Sequence, residues 1–229
     1  MNLLALPSLG DPVSQLVALL LLAMSVASWV VILWKIWLLR RAGGSVSLSI
    51  AALWQSASVQ EGRQRIAALD RHALVLPLLD ALAPVPGGSL SGSTGLIQRL
   101  TRLLRDALAQ VLTRLRHGQV LLATVGSTAP FVGLLGTVWG IYHALSAIAS
   151  AGQITIERVA GPVGEALIMT AAGLAVAIPA VLAFNVFGRM VSDIELRLDG
   201  FAYDLCALAA GTEPADGSDL LRPSMAEAQ

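Results

Sequence analysis

Three long runs of the sequence carry almost no charge, and they decide what the chain can fold into. Residues 13–34 and 120–150 contain no Asp, Glu, Lys or Arg, and residues 159–187 contain only Glu165. A helix of about 20 apolar residues crosses a hydrocarbon core of about 30 Å. With 55% hydrophobic and 13% charged residues overall, the pattern predicts an all-α integral membrane protein. Its three transmembrane helices are expected at 13–38, 120–150 and 159–187.

The basic residues beside these runs predict how the chain crosses the membrane. Lys35, Arg40 and Arg41 follow the first run, whereas Asp11 is the only charged residue before it. Short loops on the cytoplasmic side of a membrane are enriched in Lys and Arg. The N-terminus is therefore expected outside the cytoplasm and the C-terminus inside it.

Residues 39–119 are predicted to form a helical region in the cytoplasm. Pro, Gly and Ser are concentrated at 84–95 and predict a flexible joint there. After the joint, leucines recur every three or four residues, which indicates an amphipathic helix that runs into the second span. Its arginines are expected to be solvated, with anionic membrane lipids as the alternative partner. Nucleic acid is not expected, because no aromatic residues are interspersed among them.

The remaining segments are short. Residues 1–12 and the turn 151–158 are expected on the outer side of the membrane. A cytoplasmic helix at 188–210 prolongs the third span, because its apolar residues keep helical spacing. Residues 211–229 are polar and contain prolines, and they are predicted to be a disordered tail.

The chemistry-bearing residues do not form an enzyme site. Lys and Arg number 15 and Asp and Glu number 15, so net charge favours no acidic substrate. Cys206 is the only cysteine, has no evident base beside it, and is interpreted as a small core residue. His72, His117 and His143 lack the spacing of metal ligands. We therefore expect no enzymatic activity, no metal and no cofactor.

Small residues recur along one face of the second span and one face of the third. At about 100° per residue, each set falls within a narrow sector of its helix. In lipid, such stripes let helix backbones approach closely. Two stripes exceed the needs of one small bundle, so we predict self-association into a homo-oligomer. The stripe residues are Gly126, Gly133, Gly136, Gly140, Ala166, Gly173, Ala177 and Ala180.

Three polar side chains in these two spans, Thr137, Thr170 and Glu165, are candidates for function. A membrane threonine either bonds back to a helix carbonyl or faces a polar interior. Because both lie beside small-residue stripes, Thr137 and Thr170 are predicted to line one narrow polar path. Glu165 lies near the outer end of its helix, where a structural bond and a role in ion passage are equally open. His143 is expected to make an interfacial or intersubunit hydrogen bond.

The run ATVGSTAPFVGLLGTVWGIYHAL, together with VAGPVGEALIMTAAGLAVAIPAVLAFNVF downstream, resembles the ExbB/TolQ family of energy-transducing inner-membrane proteins. The more distantly related flagellar stator protein MotA belongs to the same group. The resemblance is close over the second and third spans and weak elsewhere. The stretches AGPVGEALIMTA and GIYHAL are more similar to the ExbB branch than to the TolQ branch.

This resemblance implies a pentamer of long helices around the transmembrane helices of an ExbD-like dimer. The partner's membrane aspartate takes up and releases protons, and the proton-motive force then reaches a TonB-like protein. The family's functional residues fall here on Thr137, Glu165 and Thr170. The chain's own midplane offers hydroxyls but no acid, which agrees with a partner that supplies one. A TolQ-type subunit and a passive membrane scaffold are the alternatives.

Overall fold

The computed structural model describes residues 12–82, 95–151 and 156–209. These residues form helices and the turns between them, with no strand among them. Of the expected segments, residues 1–11, the joint at 84–95 apart from Gly95, and the tail at 211–229 lie outside the described residues. The helices are α1 (Pro12–Trp54), α2 (Val59–Leu69), α3 (Leu76–Asp80), α4 (Leu96–Arg116), α5 (Gln119–Ala151) and α6 (Ile156–Ala209).

Helices α1, α5 and α6 are each long and apolar enough to cross a membrane. The prediction of an all-helical chain with three candidate membrane-spanning helices is therefore confirmed. Two boundaries differ from the expected segments. Helix α1 continues past residue 38 to Trp54, and α6 begins at Ile156, inside the expected turn 151–158. Helix α6 also runs without a break through residues 187 and 188, so one helix contains the third span and the helix expected after it.

Prolines lie inside two of these long helices. Pro130 is within α5, and Pro162 and Pro179 are within α6. Proline removes one backbone donor and disturbs the preceding turn, which costs about 3 kcal/mol in an ordinary soluble helix. Membrane helices tolerate proline because neighbouring helices and hydroxyl side chains satisfy the freed carbonyls.

The chain divides into two compact units. Of the described residues, the first unit contains 12–41, 116–151 and 156–191, and the second contains 42–82, 95–115 and 192–209. In the first unit the buried face of α1 carries Val17, Leu21 and Ile32. The opposite surface exposes large apolar side chains, including Leu19, Leu22 and Trp29. Such a surface suits lipid, where apolar side chains need no cover.

The second unit has its own apolar core. Helix α4 buries Leu100, Val111 and Leu115, which carry the apolar spacing seen in the sequence. Leu104 and Leu108 are buried as well, so the inward face is wider than that spacing indicated. On α6, Ile194, Leu198, Phe201 and Leu205 are buried at helical spacing.

A buried carboxylate organises the turn between α2 and α3 in the second unit. Asp70 accepts hydrogen bonds from the backbone N–H groups of Leu74, Val75 and Leu76, at 2.9, 2.7 and 2.8 Å. Three such donors compensate a carboxylate for leaving water. At the other end of α2, Ser58 Oγ accepts from the Glu61 N–H at 3.2 Å and caps the helix.

Candidate functional site

The glycines of α5 lie directly against α6 within the first unit. A Cβ added at Gly133 would lie 2.6 Å from the Met169 carbonyl oxygen and 3.1 Å from the Cα atoms of Gly173 and Thr170. A Cβ added at Gly173 would lie 2.6 Å from the Ala129 carbonyl oxygen. Real Cβ atoms do not approach other atoms so closely, so the two backbones touch because both positions are glycine.

The other stripe residues continue this contact along both helices. A Cβ at Gly140 would lie 2.9 Å from Ala166 Cβ, and one at Gly126 would lie 2.5 Å from Val181 Cγ2. Gly136 faces Met169 of α6 and Val17 of α1, each at 3.0 Å from its added Cβ. The remaining alanines of the α6 stripe, Ala177 and Ala180, are buried.

The two stripes therefore have each other as partners within one chain. Self-association was predicted because two stripes exceed the needs of one small bundle, so that at least one stripe would have to meet a second copy. The Gly133–Gly173 contact removes that requirement, because a single chain covers both stripes. An oligomer must accordingly be argued on other grounds than these small residues.

Thr137 and Thr170 lie together inside this contact. Thr137 is only 5% exposed, and its hydroxyl donates to the Leu134 carbonyl oxygen at 2.7 Å. The Thr170 hydroxyl lies 3.5 Å from the Thr137 hydroxyl, and its side chain is half-buried. That distance is long for a hydrogen bond between hydroxyls, which is usually 2.5–3.0 Å. The Thr137 hydroxyl thus bonds to a carbonyl of its own helix, while the Thr170 hydroxyl has only the long contact with Thr137.

Glu165 lies apart from the threonine pair. Its side chain is exposed, five positions before Thr170 on α6. Five residues correspond to a rotation of about 140° around a helix, so the two side chains leave α6 in different directions. Within the part of the chain that the structure describes, Glu165 makes no hydrogen bond or ion pair. A partner for this carboxylate would have to come from outside these residues.

Two aromatic rings lie beside His143. Its ring centroid lies 5.2 Å from that of Trp139 and 5.9 Å from that of Tyr142. All three residues lie on α5, where positions three and four apart are neighbours. His143 itself is exposed. Rings of this kind, apolar on their faces and polar at one edge, are typical of the membrane–water interface.

Lys35 forms a contact that the sequence did not reveal. It is fully buried, and its Nζ donates to the His117 carbonyl oxygen at 2.7 Å. His117 follows the last residue of α4, and Gly118, at φ +80°, makes the turn into α5. Carbonyls at a helix C-terminus lack partners in their own helix and attract cations. Lys35 and His117 are 82 positions apart in the sequence, so no local pattern pointed to this hydrogen bond.

The described residues contain no group of three or more His, Cys, Asp or Glu side chains that could hold a metal ion. The polar chemistry inside the candidate spans is instead that of hydroxyls beside a tight helix contact.

Comparison with known proteins defines the class. Residues 90–200 match the model of the MotA/TolQ/ExbB proton channel family. The chain is 44% identical over 209 residues to the biopolymer transport protein ExbB of Xanthomonas campestris pv. campestris, covering 86% of this chain and 81% of that protein. It is 38% identical over 211 residues to the ExbB of Neisseria meningitidis, covering 90% and 96%. It is 34% identical over 204 residues to the Tol-Pal system protein TolQ of Pseudomonas aeruginosa, covering 86% and 87%.

The fold and these matches define a membrane protein of the proton-channel, energy-transducing class. The chain belongs to the MotA/TolQ/ExbB proton channel family. The resemblance inferred from the second and third spans is confirmed, and it extends over most of the chain rather than over those two spans alone.

Proposed function

We propose that this protein is the scaffold subunit of a proton channel in the bacterial inner membrane, and that it serves TonB-dependent uptake across the outer membrane. In this proposal an ExbD-like single-span partner carries the membrane aspartate, and a TonB-like protein receives the mechanical energy. The observation that carries the proposal is the pair Thr137 and Thr170, placed in a glycine-lined contact between two candidate membrane helices. The identity to the ExbB proteins of Xanthomonas campestris and Neisseria meningitidis, 44% and 38%, exceeds the 34% identity to TolQ of Pseudomonas aeruginosa and favours the uptake role.

The proposed assembly is a pentamer with a periplasmic N-terminus and a cytoplasmic C-terminus. The orientation is supported by Lys35, Arg40 and Arg41 at the end of the first apolar run. We place the second and third spans innermost, next to the partner, and extend both into the cytoplasm. The number five comes from the family resemblance.

The two hydroxyls have different roles in this proposal. Because Thr137 is buried and donates to Leu134, it packs beside Thr170 rather than meeting the partner itself. The half-buried Thr170 hydroxyl is the group that reaches the partner's carboxyl. A hydroxyl that donates stabilises an ionised carboxylate, and one that accepts stabilises the protonated acid. By turning about its C–O bond, Thr170 can serve both states without titrating.

The test is uptake driven by the proton gradient in cells that lack the native subunit. Thr170→Val should reduce uptake at least roughly tenfold, since one hydrogen bond to a charged group contributes about 1.5–3 kcal/mol. Thr137→Val should cause a smaller loss, because it acts only through Thr170. Serine at either position keeps the hydroxyl and should retain most activity.

Matched expression and an unchanged oligomeric mass are the controls for these variants. Uptake at the unmodified rate with both valine substitutions together would show that the hydroxyls only bond to their own helices.

The same strains decide between the two branches of the family. Rescue of envelope integrity without rescue of uptake would assign the chain to the TolQ role.

A further inference from the structure

A narrow groove of about 280 Å³ lies open between α1 and α6 in the first unit. Ile32 and Phe187 are buried at its base, whereas Leu182 and Val186 are 61% and 56% exposed along its side. All four residues belong to helices that are candidate membrane spans. Side chains around an unfilled groove lose dispersion contacts, so an apolar chain that fills the groove is favoured.

One charged side chain lies at an end of this groove. Arg40 lines it and is exposed, and it makes no hydrogen bond or ion pair with the residues that the structure describes. Its neighbour Arg41 does have a partner, since its guanidinium lies 4.1 Å from the ring centroid of Trp37. The described residues that line the groove include no Asp or Glu. A guanidinium without a carboxylate beside it is suited to a phosphate group, often through two parallel hydrogen bonds.

The dimensions of the groove match one leaflet of a bilayer. Ile32, Ile36 and Arg40 follow each other at four-residue steps on α1, so the groove extends about 12 Å along the helix at about 1.5 Å per residue. Half of a hydrocarbon core is about 15 Å. Trp34 and Trp37 precede Arg40 and are 45% and 52% exposed, as aromatic residues are at membrane–water interfaces. These positions put the guanidinium at headgroup depth and the apolar walls at the depth of acyl chains.

The width of the groove selects the kind of occupant. About 280 Å³ spread over about 12 Å gives a mean cross-section of about 23 Å². A helix with its side chains is about 10 Å wide, which corresponds to about 80 Å². A second copy of the chain or a partner helix would therefore place only single side chains in the groove. One acyl chain, a single methylene thick, fits along its whole length.

We propose that the groove binds one phospholipid with an anionic headgroup from the cytoplasmic leaflet. One acyl chain lies against Ile36 and Val186, and Arg40 holds the phosphate group. An anionic headgroup fits better than a zwitterionic one, because the described lining offers no carboxylate to an ammonium group. The lipid thereby bridges α1 and α6 where their own side chains leave a gap. The site requires that these two helices cross a membrane and does not depend on the proposed proton channel.

The test is native mass measurement of the full-length protein, stripped of lipid in detergent and then given dioleoylphosphatidylglycerol. The unmodified protein should retain one lipid per chain. Arg40→Gln should bind the lipid about fivefold more weakly, the factor that one basic residue contributes toward anionic lipid. Arg41→Gln loses the same charge but a guanidinium that packs on Trp37, so it should bind as the unmodified protein does. Equal binding by the two variants would overturn the proposal.

A second pair of variants tests the apolar part of the site. Ala183 lines the groove and is half-buried, so Ala183→Phe should fill the groove and abolish retention of the lipid. Ala175→Phe is the control, because Ala175 is exposed on the same helix and does not line the groove. Glycerol phosphate has the charge of the headgroup without acyl chains and should not displace the lipid. Displacement by glycerol phosphate would mean a phosphate site alone, and no retained lipid in the unmodified protein would mean a groove closed by protein; either result contradicts the proposal.

Discussion

Glu165 and Thr170 lie five positions apart on α6 but have different surroundings. The Thr170 side chain is half-buried against α5, whereas Glu165 is exposed and has no partner among the described residues. An exposed carboxylate in a candidate membrane helix is costly unless something outside the chain compensates it. The structure thus separates Thr170, whose side chain packs against α5 of its own chain, from Glu165, whose carboxylate meets no partner among the described residues.

We predict that Glu165 has a structural role in the complex and carries no proton. Glu165→Gln keeps the size and hydrogen-bonding capacity of the side chain and should preserve most proton-driven uptake. Glu165→Ala should leave the thermal stability of the isolated subunit within about 0.5 kcal/mol, as for other exposed positions. It should nevertheless weaken assembly or coupling, because the partner group loses its hydrogen bond. Complete loss of uptake in the Gln variant, at normal oligomeric state, would contradict this role.

At the scale of helices, the contact between α5 and α6 depends on the absence of side chains. We predict that Gly133→Ala destabilises the subunit by about 1–3 kcal/mol, the usual cost of overpacking. Gly164→Ala is the matched control on α6, because nothing lies within 4 Å of a Cβ added there. Thermal unfolding in detergent should therefore move to lower temperature for Gly133→Ala alone, because Gly164→Ala meets no atom and gains up to about 1 kcal/mol of helix propensity. Equal behaviour of the two variants would mean that the backbones can separate without cost.

The same contact shows how far the sequence could predict the fold. The sequence contains three nearly uncharged runs that are each long enough to cross a bilayer, and these predicted three membrane-spanning helices. Helices α1, α5 and α6 have that length and composition. The rotation of about 100° per residue along a helix also placed Thr137 and Thr170 beside small residues. It could not say whether the stripes face each other or a second copy, because a smooth helix face suits both. The bond from Lys35 to the His117 carbonyl depends on three-dimensional packing, which no local pattern encodes.

For the whole molecule, assembly must use surfaces that one chain leaves open. Leu22 on α1 is 58% exposed, and Ile178 on α6 is 57% exposed. In a single chain both side chains would therefore meet lipid to a similar degree. The proposed pentamer treats them differently, since it puts the second and third spans innermost and the first span outside.

We predict that native mass measurement of the purified complex gives five copies of this chain, and that assembly shields Ile178 but not Leu22. Spin labels on Leu22→Cys and Ile178→Cys, each in a Cys206→Ser background, would report contact with oxygen dissolved in lipid. In the complex, the label at 178 should lose accessibility because neighbouring helices and the partner exclude lipid, while the label at 22 should keep it. The matched exposure of the two positions in one chain makes any difference a property of the assembly. A stable monomer, or equal accessibility at both positions, would refute this arrangement.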